Sequence, residues 1–145
     1  MRLQLALNVR NIEEAVAYYS KLFGVPPHKE RPGYANFAIE RPPLKLVLFE
    51  NPHATERINH LGVEVFEPEE VEAALQRLES AGLVEEVERG ETCCYATQDK
   101  VWSREPQGLR WEWYRITDDA PAAAAMALAT ACCAGTDAPG QACCT

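Results

Sequence analysis

Hydrophobic and polar positions alternate in Leu3-Gln4-Leu5-Ala6-Leu7-Asn8-Val9, which predicts a strand with one apolar face. The period then changes. Ile12, Ala15, Val16, Tyr19, Leu22 and Phe23 recur at helical spacing. Asn11 offers an N-cap with Glu14 three residues later, as in a capping box, and Gly24 followed by Pro26-Pro27 stops the helix. Two β-rich runs follow, Tyr34–Glu40 and Leu44–Glu50, separated by Arg41-Pro42-Pro43, and a short further strand is expected near His28–Arg31.

The pattern then restarts. Asn59-His60-Leu61-Gly62-Val63-Glu64-Val65 alternates, and Pro68 stands where a first helical residue belongs. Val71, Ala74, Leu75, Leu78 and Ala81 keep helical spacing up to Gly82. Strand-like runs come after it at Val84–Glu88, Cys94–Gln98, Val101–Arg104 and Arg110–Ile116. A β-α-β-β order thus repeats, and overlaying the halves sets Gln4 opposite His60.

The alternation also assigns faces. Leu3, Leu5, Leu7 and Val9 share one face and Leu61, Val63 and Val65 the matching one, so these should pack on the helices. Gln4, Ala6 and Asn8, with His60, Gly62 and Glu64, fall on the other face, which is polar and contains small residues, as a concave site would. In Arg110-Trp111-Glu112-Trp113-Tyr114 the tryptophans share a face. If they pack on a helix, Glu112 points the same way as Gln4 and His60. Trp111, Trp113, Tyr18, Tyr19 and Phe23 are expected in the core, and His28 and His53, in Pro-rich loops, at the surface.

Composition narrows the picture. The 145 residues are 47% hydrophobic and 25% charged, as in a globular chain, and the net charge of −8 argues against nucleic acid or anionic membrane partners. No run of about 18 apolar residues predicts a membrane span, and no signal peptide is visible at the N-terminus, so a cytoplasmic location is expected. Residues 118–145, DDAPAAAAMALATACCAGTDAPGQACCT, have no aromatic, Lys or Arg residue and form an Ala/Cys-rich tail expected to be flexible. The folded domain is expected over 1–117, with module one at about 1–50 and module two at about 58–117.

The six cysteines come in three adjacent pairs, 93/94, 132/133 and 143/144, which argues against a disulfide framework. Neighbouring Cα atoms are about 3.8 Å apart across a trans peptide, whereas a relaxed disulfide needs roughly 4.4–6.8 Å. Along an extended strand Cys93 and Cys94 would also face opposite ways. In a turn, both sulfurs can converge on one external atom, and thiolates select soft metals and metalloids.

The stretches LALNVRNIEEAVAYYSKLFG, INHLGVEV and SREPQGLRWEWYRI resemble the vicinal-oxygen-chelate superfamily of glyoxalases, extradiol dioxygenases and bleomycin-resistance proteins. The resemblance covers about residues 1–116. It implies an α+β fold of two βαβββ modules forming a cupped mixed sheet, helices on its outer face and a divalent metal inside. LNVRNIEEAVAYYSKLFGVPPHKERPGYANFAI, PPLKLVLFE and the TCCY loop are more specifically similar to the ArsI-type C–As lyases and the neighbouring cadmium-induced proteins.

From that resemblance follow the expected roles. Gln4, His60 and Glu112 match the metal-ligand positions, with Gln4 where many members carry His. Fe(II) is the implied cofactor, O2 the co-substrate, and trivalent organoarsenicals the partners, held by Cys93 and Cys94. The expected catalytic set is Cys93, Cys94, His60 and Glu112, and the expected reaction is C–As cleavage to inorganic arsenite. A cadmium-, arsenic- or drug-sequestering protein is the alternative. A catechol-cleaving dioxygenase would not need the cysteine pair. Val47, roughly where glyoxalases carry a fourth ligand, has no donor atom and argues against glyoxalase chemistry. Arg110 or Arg115 could instead neutralise Glu112, and a homodimer is the assembly left open.

Overall fold

The structure is a computed structural model that describes residues 1–121. The elements are β1 (Arg2–Val9), α1 (Ile12–Phe23), β2 (Lys29–Arg31), β3 (Tyr34–Ile39), β4 (Leu44–Glu50), β5 (Ile58–Glu64), α2 (Pro68–Ser80), β6 (Glu86–Cys93), β7 (Ala96–Arg104) and β8 (Arg110–Asp118). This is β-α-β-β-β twice over, the α+β arrangement expected from the sequence. The segment 122–145, with Cys132-Cys133 and Cys143-Cys144, lies outside the described residues.

The described chain forms two compact units, one of Met1–Glu64 with Glu105–Glu112, the other of Val65–Arg104 with residues 113–121. In the first, strand neighbours run β2-β3-β4-β1-β5, and the opening residues of β8 follow β5. β1 is parallel to β4 and antiparallel to β5. In the second the neighbours run β8-β7-β6, with β6 and β7 antiparallel.

Helix α1 forms where the sequence says it should. Asn11 Oδ1 accepts the Glu14 N–H at 2.9 Å, and Gly24 ends the helix at φ 68, a left-handed conformation that glycine takes without Cβ strain. Ile12, Ala15, Val16, Tyr19 and Phe23 pack on Leu7, Val9, Ala35, Phe37, Ile39, Leu46 and Leu48. Leu22, Leu3 and Tyr18 are exceptions to the expected apolar faces. They are 56%, 48% and 60% exposed, because α1 covers only the Leu5–Val9 end of β1 and its own stripe is narrower than the sequence pattern.

In the second unit Ala74, Leu75 and Leu78 of α2 pack with Val101, Val84 and Trp113. β6 begins later than expected, at Glu86, and runs through Gly90 to Cys93. The reason is a register irregularity between Glu88 and Glu91, with Gly90 at φ 62, so the glycine makes a bulge instead of ending the strand. β7 is likewise one strand where two runs were expected. No helix among the described residues is long and apolar enough to cross a membrane.

Candidate metal centre and cysteine turn

Gln4 on β1, His60 on β5 and Glu112 on β8 meet in the first unit, all at least 95% buried. Gln4 Nε2 lies 3.1 Å from His60 Nε2 and donates to Glu112 Oε1 at 2.5 Å. His60 Nε2 is 3.3 Å from the same carboxylate oxygen. Glu112 Oε2 is buried and receives no hydrogen bond. The alternation that put these residues on one face is therefore correct. Of the two arginines weighed as partners for Glu112, Arg115 lies 3.4 Å from Asp99 and Arg110 is buried.

Burying a carboxylate is costly unless positive charge or hydrogen bonds compensate it. The Gln4 amide supplies some of that through its N–H groups. Rotating the amide would exchange Nε2 for Oε1 and give a neutral oxygen, an imidazole nitrogen and a carboxylate oxygen facing one point. The separations of 2.5, 3.1 and 3.3 Å bracket the roughly 3 Å between adjacent ligands of an octahedral ion with bonds of about 2.1 Å. An oxygen–nitrogen set of this kind suits a borderline divalent ion such as Fe(II) or Mn(II). No group of three or more His, Cys, Asp or Glu placed to hold a metal occurs among the described residues. The set here counts only two of those types, because its third donor is an amide.

Gly62 makes room for the cluster. A Cβ there would stand 2.8 Å from Glu112 Cγ, 3.2 Å from the Glu112 carbonyl oxygen and 3.4 Å from Gln4 Cβ. The sequence placed a small residue on this face without indicating how tightly it is enclosed. Glu64, on the same face, is buried against Arg2 and takes no part in the cluster.

The second feature is the β6–β7 hairpin. Cys93 is the last residue of β6 and pairs with Ala96, leaving Cys94-Tyr95 as a two-residue turn. Both turn residues have positive φ, 51 for Cys94 and 67 for Tyr95, the pattern of a type I′ turn. Asn-Gly is the usual choice there, and side-chain-bearing residues in left-handed backbone cost roughly 1–2 kcal/mol each. Thr92 and Thr97 share a hydroxyl contact at 2.9 Å, and Gln98 Nε2 donates to the Cys93 carbonyl at 3.0 Å, which brace the turn. The reversal brings the Cys93 and Cys94 sulfurs 3.2 Å apart, where a continuous strand would have faced them oppositely.

Glu88 is one of several buried polar groups that the sequence pattern does not announce. Glu88 accepts from Trp102 Nε1 at 2.8 Å and lies 3.9 Å from Lys100 Nζ, with both charged residues at least 93% buried. Glu88 sits in the Glu-Val-Glu-Arg-Gly-Glu run, which reads as a solvated charged stretch. The signal was the period-2 placement of Lys100 and Trp102 on one face of β7. His28 and His53 are exposed, as expected.

The model of the Glyoxalase/Bleomycin resistance protein/Dioxygenase superfamily matches residues 3–113, and the chain belongs to that superfamily. It is 58% identical over 118 residues to the cadmium-induced protein CadI of Mycobacterium tuberculosis, covering 81% of this chain and 78% of the relative. It is 50% identical over 137 residues to the trivalent organoarsenical cleaving enzyme of Thermomonospora curvata, covering 94% of this chain and 90% of that one. Among solved structures, the Mn(II)-bound glyoxalase of Novosphingobium aromaticivorans shares the fold at a TM-score of 0.59 and 19% identity, over 82% of this chain and 40% of that one. Val47, which lies beside Ala6 in the β1–β4 ladder and is buried, offers no donor atom.

Proposed function

We propose that the protein is an Fe(II)-dependent dioxygenase that cleaves the carbon–arsenic bond of trivalent organoarsenicals and releases inorganic arsenite. The observation that carries this reading is the convergence of the Cys93 and Cys94 sulfurs in a turn that two left-handed residues build. The organoarsenical-cleaving relatives support the substrate class.

Cys93 and Cys94 bind the substrate. A monoorganic As(III) species carries two hydroxyls, and two thiols replace them with release of two waters. Arsenic keeps its carbon and gains two sulfurs. Burial of Cys93 excludes competing water from one of these bonds. Gln4, His60 and Glu112 would hold the metal, with the Gln4 amide turned to present its oxygen. Fe(II), when bound there, supplies activation of O2. The overall stoichiometry closes without another reductant: methylarsonous acid and O2 contain the atoms of formaldehyde and arsenous acid. Carbon gives up the four electrons that O2 takes, and arsenic stays trivalent.

The test uses anaerobically reconstituted Fe(II) protein and methylarsonous acid, with arsenic species separated by chromatography and detected by element. Arsenite should appear only after O2 is admitted. Cys93→Ser and Cys94→Ser should each abolish turnover and keep iron, since a hydroxyl is a hard donor and holds As(III) poorly. Stoichiometric binding of the arsenical without arsenite release, iron and O2 being present, would replace the lyase with the sequestering protein that the cadmium-induced relatives suggest. Turnover without O2 would sink the dioxygenase chemistry and leave the cysteine assignment standing.

A further inference from the structure

Two asparagines outside the donor cluster form a chain of hydrogen bonds that ends on His60. His60 Nδ1 lies 2.7 Å from Asn59 Oδ1. Asn59 Nδ2 donates to Asn8 Oδ1 at 3.1 Å, and Asn8 Nδ2 donates to the backbone carbonyl of Glu56 at 3.0 Å. The Asn8 backbone N–H also donates to the Arg57 carbonyl at 2.8 Å, which fixes β1 against the segment leading into β5.

Adjacent strand residues point to opposite faces, so Asn59 should not reach the ring of His60. A bulge makes it possible. Ala6 pairs with His60 but Leu7 pairs with Ile58, so Asn59 is an extra residue with no partner in the β1 ladder. Such a residue is free to turn its side chain toward its neighbour's face, as bulges beside functional sites commonly do.

The polarity of the chain is forced from its far end. A backbone carbonyl only accepts, so Asn8 must present its NH2 group to Glu56 and its oxygen to Asn59. Asn59 must then present its NH2 group to Asn8 and its oxygen to His60. His60 must therefore carry its proton on Nδ1. Amide and imidazole orientations are normally ambiguous; here one carbonyl decides all three. The lone pair is left on Nε2, the nitrogen that faces Gln4 and Glu112.

We propose that Asn59 and Asn8 are positioning residues that lock His60 as the Nδ1–H tautomer, with Nε2 presented as a ready donor. The proposal deepens the metal reading above and rests on it for its consequence, though not for the tautomer. The outer partners of a ligating histidine orient the ring and raise its basicity, and losing them costs 10- to 100-fold in metal affinity in other proteins. Asn8, two bonds removed from the ring, acts only through Asn59.

The test has two readouts. Long-range 1H–15N correlation of the imidazole nitrogens, in metal-free protein at a pH where His60 is neutral, should show a single Nδ1–H tautomer. Asn59→Ala and Asn8→Ala should give a mixture of tautomers, with Fe(II) bound about 10- to 100-fold more weakly in a competitive chelator titration. Asn59→Asp and Asn8→Asp each keep the acceptor oxygen facing the next donor, so both should restore the Nδ1–H signal. That restoration also answers for an alanine variant that fails to fold. An Nε2–H tautomer in the wild type, or an unchanged tautomer in folded Asn59→Ala, overturns the relay whatever the metal does. A locked Nδ1–H tautomer in a wild type that takes up no Fe(II) leaves the relay standing and removes the metal reading instead.

Discussion

Gly62 and Glu112 are so close that a methyl group on Gly62 would overlap the Glu112 side chain, at 2.8 Å from Cγ. The Glu112 carbonyl at 3.2 Å closes the other side and, being backbone, yields less readily. Gly62→Ala should therefore push the carboxylate out of line with Gln4 and His60. Misplacement of a reacting group by about 1 Å costs on the order of 100-fold in rate. The expected outcome is a fall of that size in arsenite formation, with Fe(II) affinity reduced in the same titration. Affinity and rate within twofold of wild type would show that the glycine is there for another reason.

The donor cluster itself makes a sharper prediction. His60→Ala and Glu112→Ala should each lose iron together with activity, which metal analysis of the purified variants measures. Gln4→His should keep iron, because an imidazole can replace the amide oxygen as a neutral donor. Full metal occupancy in both alanine variants is the result that refutes the assignment.

Glu88 predicts a stability effect with no metal involved. It is buried beside Lys100 and accepts the Trp102 indole N–H. Removing one partner of a buried ion pair costs about 3–5 kcal/mol. Glu88→Ala should lose roughly that much in urea unfolding, and Glu88→Gln less, since it keeps an acceptor for the indole. A change below 1 kcal/mol in Glu88→Ala would mean that this buried pair is already compensated elsewhere.

Glu70 gives a pH prediction. Its carboxylate accepts the backbone N–H groups of Glu67 at 3.1 Å and Phe66 at 3.0 Å ahead of α2, and these bonds hold its pKa below the ordinary carboxylate value of 4.5. Because the folded value is the lower one, the stabilisation is present above pH 4.5 and fades as the pH falls through the folded value. Glu70→Gln should accordingly melt below wild type at neutral pH, and the two should converge in acid. A gap that widens on acidification would reverse the sign.

What could be read from the sequence followed from periodicity. Period-2 alternation assigned the faces of β1 and β5, the internal repeat aligned Gln4 with His60, and Glu112 joined them on the condition that the tryptophans of β8 pack on a helix, as Trp113 does. Asn59 escaped because a bulge leaves no mark when no glycine makes it. Its side chain changes face although the amino-acid pattern keeps time. The Cys94-Tyr95 turn lacks the Asn or Gly that normally announces a type I′ reversal, so the cysteines could be placed in a loop but not in this turn. The run Val84–Glu88 stopped short because the Gly90 bulge breaks the alternation inside β6, which continues to Cys93.

The three buried donors come at positions 4, 60 and 112, and β8 carries the only charged one. A ribosome therefore delivers the neutral amide and imidazole early and the carboxylate almost at the close of the folded region. A nascent chain that has not yet reached Arg110 holds, at this cluster, two neutral donors and no carboxylate. On the metal reading proposed above, cation uptake at this cluster thus waits for the last strand to bring its carboxylate beside the other two donors.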